Sequence, residues 1–250
     1  MMNAIKKLMF VCVAFLLLLR PGMTVQAEEE ANDTRPDYII YVNRTQNCIT
    51  VMEQNADGTS TVAKVMVCSC GRDGHWTPEG TFRTSNYYDW RQLVDGSYGR
   101  YAVRFNNRIL FHSVPYEQMS EDTLQWEQYN LLGQNASLGC VRLSVVDAKW
   151  IYDNCKVGTM VVVYSGDTLM EDVIKPTAIS IPENSPYRNW DPTDLNANNP
   201  WLGEQFETFD YVAYADRYAD VKATYGYEKT ALYMHYINFG INEGRVAEFH

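Results

Sequence analysis

One cysteine, Cys140, lies among small and polar residues in the sequence NASLGCVRLS (135–144). A cysteine of the hydrophobic core would instead be expected in an apolar run. A catalytic cysteine needs a base or a lowered pKa, because a free thiol is only a few per cent thiolate at neutral pH. Of the four histidines, His112 is the best candidate base, since it ends the apolar run RILFHS in the same segment of the chain. These residue types favour a Cys140–His112 nucleophile pair, with a buried structural thiol and a disulfide as the alternatives.

The other cysteines are interpreted as structural. Cys68 and Cys70 share one face of a predicted strand, and a bridge from either of them to Cys155 stays open. Sequence alone does not fix the pairing of Cys48, Cys68, Cys70 and Cys155. A zinc site is disfavoured because the chain has no Cys-x-x-Cys pair and no matching pair of histidines, so no metal and no cofactor are predicted.

The elements around Cys140 are predicted to be mainly strands. Short β-branched and aromatic runs separated by turn residues recur through residues 37–165, and YAVRFNNRILFHS (101–113) has the pattern of a hairpin. One helix is predicted here, beginning after Ser144 as N-cap, with Asp147 in its first turn. Cys140 therefore lies on a strand or turn that leads into a helix.

The amino-terminal residues 1–27 have the features of a signal peptide: a basic start, an apolar run over 8–19 and a small-residue cleavage signal at 25–27. We expect the mature chain to be exported and extracytoplasmic, and a retained anchor is the alternative. Residues 28–36 would form a short linker. Removing residues 1–27 takes away three basic and no acidic residues, so the formal charge changes from −10 to −13. Nucleic acid is excluded as a partner, because its binding relies on basic surfaces.

Proline marks a boundary in the second half of the chain, where five of the nine prolines fall within residues 176–200. This density of proline disfavours helices and interior strands, so residues 166–204 are interpreted as an extended linker. In residues 205–250, aromatic side chains recur at helical spacing and glycine follows each run, which predicts a small helical hairpin. Its sequence resembles a short repeat of secreted bacterial proteins, which implies a ligand in the cell envelope.

Four sequence elements in order resemble the L,D-transpeptidase (YkuD-type) catalytic domain. They are TPEGTF (77–82), FHSVPY (111–116), LGQNASLGCVRLSVVDAKWIYDN (132–154) and VGTMVVVY (157–164). The resemblance covers about residues 37–165. It implies a β-sandwich or barrel-like catalytic domain with one helix after the catalytic cysteine, followed here by the α-helical C-terminal module.

The resemblance also implies that the exported chain is associated with a bacterial cell wall and acts on the peptidoglycan stem peptide. Cys140 would attack the carbonyl that joins the third stem residue to the terminal D-alanine, and His112 would take the thiol proton and pass it to the leaving amine. Ser113 would orient the imidazole through its carbonyl or hydroxyl. The N–H groups of Gly139 and Cys140 would stabilise the oxyanion.

Two further residues complete the predicted site. Arg142 would bind a substrate carboxylate or carbonyl through its planar guanidinium, and Ser137 would order the turn. Many relatives have histidine at the position of Leu138, so His112 must here supply the base alone. An insertion at 117–129 is interpreted as a lid or short helix over the site.

The function implied is an acyltransferase that forms 3→3 cross-links through a thioacyl-enzyme, with inhibition by β-lactams of the carbapenem type. Resolution of the same intermediate by water, as in an L,D-carboxypeptidase, is an alternative that the sequence leaves open. A catalytically silent wall-binding protein is a second alternative, against which stand Cys140 and His112 in place.

Overall fold

The computed structural model describes residues 33–171, 173–176, 180–181, 183–227, 229–240, 243 and 245–250. The predicted signal peptide and residues 28–32 lie outside the described residues. Residues 35–250 form one compact unit. Among the described residues, no helix combines the length and the apolar character needed to cross a membrane.

The mainly β prediction is confirmed, because the described residues of the catalytic segment form two sheets. One sheet has the strand order β3-β2-β1-β9-β4 and the other the order β5-β6-β7-β8. The strands are β1 Tyr38–Asn43, β2 Cys48–Gln54, β3 Ser60–Val67, β4 Gly80–Arg83, β5 Tyr87–Gln92, β6 Tyr98–Asn106, β7 Ile109–Ser113, β8 Val141–Leu143 and β9 Met160–Tyr164.

Apolar side chains from both sheets form one buried core, as alternation along the strands requires. Val42 and Val51 contribute from the first sheet, Phe111 and Val141 from the second, and Ile151 from the helix that follows β8. The helices of the described chain are α1 Trp126–Tyr129, α2 Val145–Asn154, α3 Gly203–Thr208, α4 Tyr211–Arg217, α5 Ala219–Tyr225 and α6 Lys229–His235, and a π-helical turn spans Tyr236–Gly240.

Two local predictions near the site are confirmed. The hairpin of β6 and β7 turns at Asn107, which has a φ of 42°, a conformation that asparagine tolerates better than most residues. Helix α2 begins after Ser144, whose side chain accepts a hydrogen bond from the Asp147 N–H. The strand β7 and the helix α2 thus flank the catalytic motif on either side.

The proline-rich segment has no helix or strand among its described residues 166–202, but it is not a free spacer. Ile181 is buried in a cluster with Val114 and Tyr116. Asp191 is fully buried, and its carboxylate accepts a hydrogen bond of 2.8 Å from the Val145 N–H at the start of α2. The interpretation of residues 166–204 as an extended linker is corrected, because these contacts hold part of the segment against the catalytic domain.

The described residues of the C-terminal segment form four short α-helices, α3 to α6, where the sequence predicted one hairpin. The first predicted run is interrupted at Tyr218, which is the C-cap of α4 and the N-cap of α5. Aromatic rings form the core of the module, with Phe209 in contact with Tyr214, Tyr233 and Tyr236. The aromatic side chains that recur at helical spacing in the sequence therefore pack these helices together.

Candidate active site

Parallel pairing of β7 with β8 brings the predicted site residues together. In this register His112 is the partner of Arg142, so their side chains occupy neighbouring positions on adjacent strands. Cys140 immediately precedes β8 in the sequence. The thiol, the imidazole and the guanidinium all line one cavity of about 550 Å³.

The cavity wall comes from three parts of the chain. The end of β5 and the turn after it form one side, the hairpin of β6 and β7 another, and the catalytic motif the third. The lining residues are Arg91, Gln92, Leu93, Val94, Asp95, Arg104, Arg108, Ile109, Leu110, His112, Ser137, Leu138, Cys140 and Arg142. The wall is therefore strongly basic, although the whole protein is acidic.

The imidazole of His112 is buried and held in one tautomer. Its Nδ1 lies 2.6 Å from the carbonyl oxygen of Ser113. Because a carbonyl only accepts, Nδ1 carries the hydrogen and Nε2 is left as a proton acceptor. Of the two ways in which Ser113 was expected to orient the ring, the structure contains the carbonyl contact. The Ser113 hydroxyl instead donates to Val114 O and accepts from the Arg100 N–H.

The candidate pair is uncharged at neutral pH. Burial, and secondarily the nearby Arg142 charge, lowers the pKa of His112 to about 4. Burial also raises the pKa of the Cys140 thiol. The Cys140 Sγ lies 3.8 Å from the Arg108 carbonyl, and among the described residues no hydrogen bond joins it to His112. The resting site is thus a neutral thiol and a neutral imidazole on the wall of one cavity, which suits general-base activation during attack.

The turn that carries Cys140 is fixed by Ser137. Its Oγ accepts a hydrogen bond of 3.0 Å from the Gly139 N–H and donates one of 2.5 Å to the Cys140 carbonyl. This supports the expected ordering role of Ser137. It also corrects the expected oxyanion role of Gly139, because the Gly139 N–H is already bonded to Ser137. The Cys140 N–H has no partner among the described residues, so it remains as the backbone donor for an oxyanion.

Gly139 is required for its backbone conformation. Its φ of 114° is disfavoured for residues with a side chain. A Cβ at this position would also lie 3.1 Å from Ile109 Cδ1. A second glycine was missed by the sequence analysis: a Cβ on Gly99 of β6 would lie 2.7 Å from His112 Nδ1. Strand β6 can therefore pack directly against the imidazole only with glycine at residue 99.

Arg142 is buried with part of its hydrogen-bonding capacity unused. One terminal nitrogen donates to Gln128 Oε1 at 2.6 Å, while its buried Nε has no partner among the described residues. Gln128 belongs to the predicted insertion 117–129, which contains helix α1. The insertion therefore orients Arg142 and does not line the cavity, where a lid or helix over the site was expected. A buried unpaired donor is costly, so this nitrogen is suited to a ligand oxygen.

Thr77 is a positioning residue that sequence reasoning did not single out, although it begins the motif TPEGTF. Its fully buried hydroxyl donates to the Gly139 carbonyl at 2.9 Å and accepts from the Gly71 N–H at 2.9 Å. The contact spans 62 positions in the sequence. Thr77 thus connects the catalytic turn to a loop of the first half of the domain.

Replacing Thr77 by valine should lower the rate of Cys140 acylation about tenfold. The isosteric change leaves a buried carbonyl and a buried N–H unpaired, at a cost of about 1–3 kcal/mol, and releases the turn. Thr77→Ser keeps the hydroxyl and is the matched control. The acylation rate is measured by mass spectrometry and folding by the thermal transition. Equal rates in the valine and serine variants would contradict a positioning role for the hydroxyl.

The five cysteines of the described residues are not joined by disulfides. Cys48, Cys68, Cys70 and Cys155 are free and buried, and Cys140 is also free. The bridge to Cys155 that the sequence left open is absent from the structure, while the Sγ atoms of Cys68 and Cys70 lie 3.9 Å apart. The disulfide alternative for Cys140 is therefore not the state seen here.

The chain is similar to known proteins over the segment that contains this site. The chain matches the family model described as the YkuD L,D-transpeptidase catalytic domain over residues 37–163. The protein YciB of Bacillus subtilis (strain 168), whose name provisionally calls it an L,D-transpeptidase, is 34% identical over 127 residues, which are 46% of this chain and 63% of that relative.

Similar solved structures include an L,D-transpeptidase from Mycobacterium smegmatis (23% identity, TM-score 0.42) and one from Mycobacterium tuberculosis H37Rv (27% identity, TM-score 0.40). Each match covers 52% of this chain, and 59% and 58% of the respective structures. The chain thus spans less than two thirds of the length of these relatives. The family match extends over just over half of the 250 residues and contains both Cys140 and His112. The chain belongs to the family of YkuD-type L,D-transpeptidase catalytic domains.

Proposed function

We propose that this protein is a peptidoglycan L,D-transpeptidase that acts outside the cytoplasm and joins stem peptides by 3→3 cross-links. The observation that carries the proposal is the meeting of Cys140, His112 and Arg142 in one cavity of about 550 Å³. Family membership supports the reaction class. The apolar segment 8–19 of the sequence supports export of the mature chain.

Acylation begins with two neutral groups. His112 Nε2 takes the thiol proton as Cys140 Sγ attacks the carbonyl carbon between the third stem residue and the terminal D-alanine. The carbonyl oxygen becomes an oxyanion that the Cys140 N–H stabilises. When the C–N bond breaks, the imidazolium gives its proton to the leaving amine, and D-alanine departs from a thioacyl-enzyme.

Burial of His112 favours this sequence of proton transfers. An imidazole with a pKa of about 4 is neutral before attack and holds a transferred proton only weakly. The proton is therefore passed readily to the leaving amine, which is far more basic. The hydrogen bond from Nδ1 to the Ser113 carbonyl keeps the ring oriented through both transfers.

Arg142 is suited to hold the donor peptide during these steps. Arg142 lines the cavity, its guanidinium is oriented by Gln128, and its buried Nε has no partner among the described residues. A carboxylate or carbonyl oxygen of the stem would satisfy this nitrogen. The thioacyl-enzyme is then resolved by the side-chain amine of a neighbouring stem, and hydrolysis to a tripeptide is the competing outcome.

Incubation with a carbapenem-type β-lactam tests the nucleophile. Under reducing conditions, the wild-type protein should gain the mass of one inhibitor on the peptide that contains Cys140, and Cys140→Ser should gain none. Absence of an adduct on the folded wild-type protein would contradict the enzyme proposal and favour a silent wall-binding protein.

A synthetic tetrapeptide stem tests the reaction. Two stems joined with loss of one D-alanine identify transpeptidation, whereas tripeptide as the product over a wide range of substrate concentrations identifies an L,D-carboxypeptidase. Mass spectrometry distinguishes the two outcomes. Cys140→Ser is the control for both, because it keeps a similar side chain without the thiol.

A further inference from the structure

The cavity wall carries a charge distribution that catalysis of acylation does not explain. Four arginines line it, at residues 91, 104, 108 and 142, together with a single carboxylate, Asp95. An amine that enters to resolve the thioacyl-enzyme is cationic at neutral pH. Four guanidinium groups repel such a cation, whereas water, the competing acceptor, is unaffected. Selection of an amine acceptor therefore requires a nearby negative charge.

Asp95 is held in place with one oxygen unused. It lies in the turn between β5 and β6, which is closed by hydrogen bonds from Leu93 N to Ser97 O and from Gly96 N to Leu93 O. Asp95 Oδ1 accepts from the Ser97 N–H at 3.2 Å and from the Ser97 hydroxyl at 2.6 Å. Among the described residues, Oδ2 has no hydrogen-bond partner. The side chain is thus oriented before any ligand binds.

The charge of Asp95 acts on the reacting groups. Burial is the main cause of the lowered pKa of His112, and the Asp95 charge opposes that shift. Burial is also the main cause of the raised pKa of Cys140, and the Asp95 charge adds to it. The pKa of Asp95 itself is lowered; burial opposes this shift, and the hydrogen bonds from Ser97 are its main cause. Asp95 is therefore a carboxylate at neutral pH, on the wall of the cavity that contains Cys140.

We propose that Asp95 binds the cationic amine of the acceptor stem and thereby determines whether the thioacyl-enzyme is resolved by an amine or by water. This inference rests on the proposed function and names the residue that selects the acceptor. The arginines at the same wall suit a carboxylate next to that amine, so the acceptor class is an amine on a carbon that also bears a carboxylate.

In the resolving step, the acceptor amine replaces the Cys140 sulfur on the acyl carbon. The bound ammonium loses one proton to solvent, and the free amine attacks the thioester carbonyl. The C–S bond breaks, a C–N bond forms, and the second proton passes through His112 to the Cys140 sulfur. The net change converts thioacyl-enzyme and ammonium into free thiol, amide and one proton. Asp95 binds and positions the acceptor, while His112 transfers protons.

Asp95→Asn separates charge from structure. The asparagine side-chain oxygen can still accept both hydrogen bonds from Ser97, so the turn is retained and only the charge is removed. Asp89→Asn, on β5 but outside the cavity lining, is the matched control. The tetrapeptide stem serves as donor and a second stem with a free side-chain amine as acceptor.

The measurement is the ratio of amide dimer to tripeptide as the acceptor concentration is varied. For Asp95→Asn, the acceptor concentration that gives equal amounts of the two products should rise about tenfold. Donor consumption without acceptor is recorded for each variant, so that an effect of the charge on acylation is separated from its effect on the product ratio. Asp89→Asn should behave as the wild type. Hydroxylamine, an acceptor that is uncharged at neutral pH, should be used equally well by all three proteins.

An unchanged ratio in Asp95→Asn, or an equal loss with hydroxylamine, would overturn the role of the charge. A wild-type protein that formed no thioacyl-enzyme would instead refute the proposed function. The two failures are distinguished because donor consumption without acceptor reports acylation and the product ratio reports acceptor binding.

Discussion

Replacing His112 by alanine is expected to lower the rate of Cys140 acylation by about a thousandfold or more, the contribution of a positioned general base. The effect should be large because burial raises the pKa of the Cys140 thiol, which therefore needs a base. Among the described residues that line the cavity, His112 is the single histidine. Leu138 supplies no second base. The rate is measured as the appearance of the carbapenem adduct by mass spectrometry.

His75→Ala is the matched control, since this exposed histidine lies outside the cavity lining. Because the buried imidazole also packs against β6, the thermal transition of each variant must be recorded, and His112→Gln provides a variant of more similar volume. Substantial acylation in a folded His112→Ala protein would mean that another group is the base.

The same residue determines how acylation depends on pH. His112 accepts a proton only when it is neutral, and its pKa of about 4 lies below the ordinary histidine value of 6.5. The rate should therefore stay level as the pH falls from 7 through 6.5 and decrease only as it approaches about 4, provided that the fold persists. A decrease centred near 6.5 would show a solvated imidazole and contradict the buried one.

Replacing Arg142 by methionine should lower the rate of acylation by the tetrapeptide stem about a hundredfold. Removing one partner of a buried charged interaction costs about 2–5 kcal/mol, and here Gln128 would also lose its bond. Arg142→Lys should recover little of the loss, because an ammonium group lacks the planar arrangement of donors.

The control for Arg142 is Arg83→Met, an exposed arginine outside the cavity that donates to the Gly158 carbonyl. Iodoacetamide, a small thiol reagent without a carboxylate, distinguishes substrate binding from a general effect on Cys140. Its reaction with Cys140 should change much less than acylation by the stem. A similar loss with both reagents would show that Arg142 acts on the thiol and not on the substrate.

Short-range features of the fold could be predicted because their causes are local. The positive φ of Asn107 and the capping of α2 by Ser144 each depend on residues within a few positions. The parallel register that sets His112 beside Arg142 is different, since it depends on the pairing of distant strands. The family motif indicated that these residues act together, but their spacing alone did not.

The features that were missed are connections between distant parts of the chain. Thr77 reaches Gly139 across 62 positions, and Asp191 reaches Val145 across 46. One missed feature is local: the hydrogen bond from the Gly139 N–H to the Ser137 hydroxyl depends on a backbone angle that the amino-acid types do not specify. The prolines predicted the lack of helices and strands in the described part of residues 176–200. Irregular backbone can still pack, however, when polar side chains pair its groups.

The buried contacts of Asp191 also determine where another module could be joined to the catalytic domain. Its carboxylate caps α2 from beyond the end of the family match at residue 163, and Thr193 accepts a further hydrogen bond from the Val146 N–H. A recombination event that joined a new module directly after β9 would leave the first N–H groups of α2 unpaired. The segment that pairs the first turn of α2 therefore extends to Thr193, and a module joined before that residue would remove these hydrogen bonds.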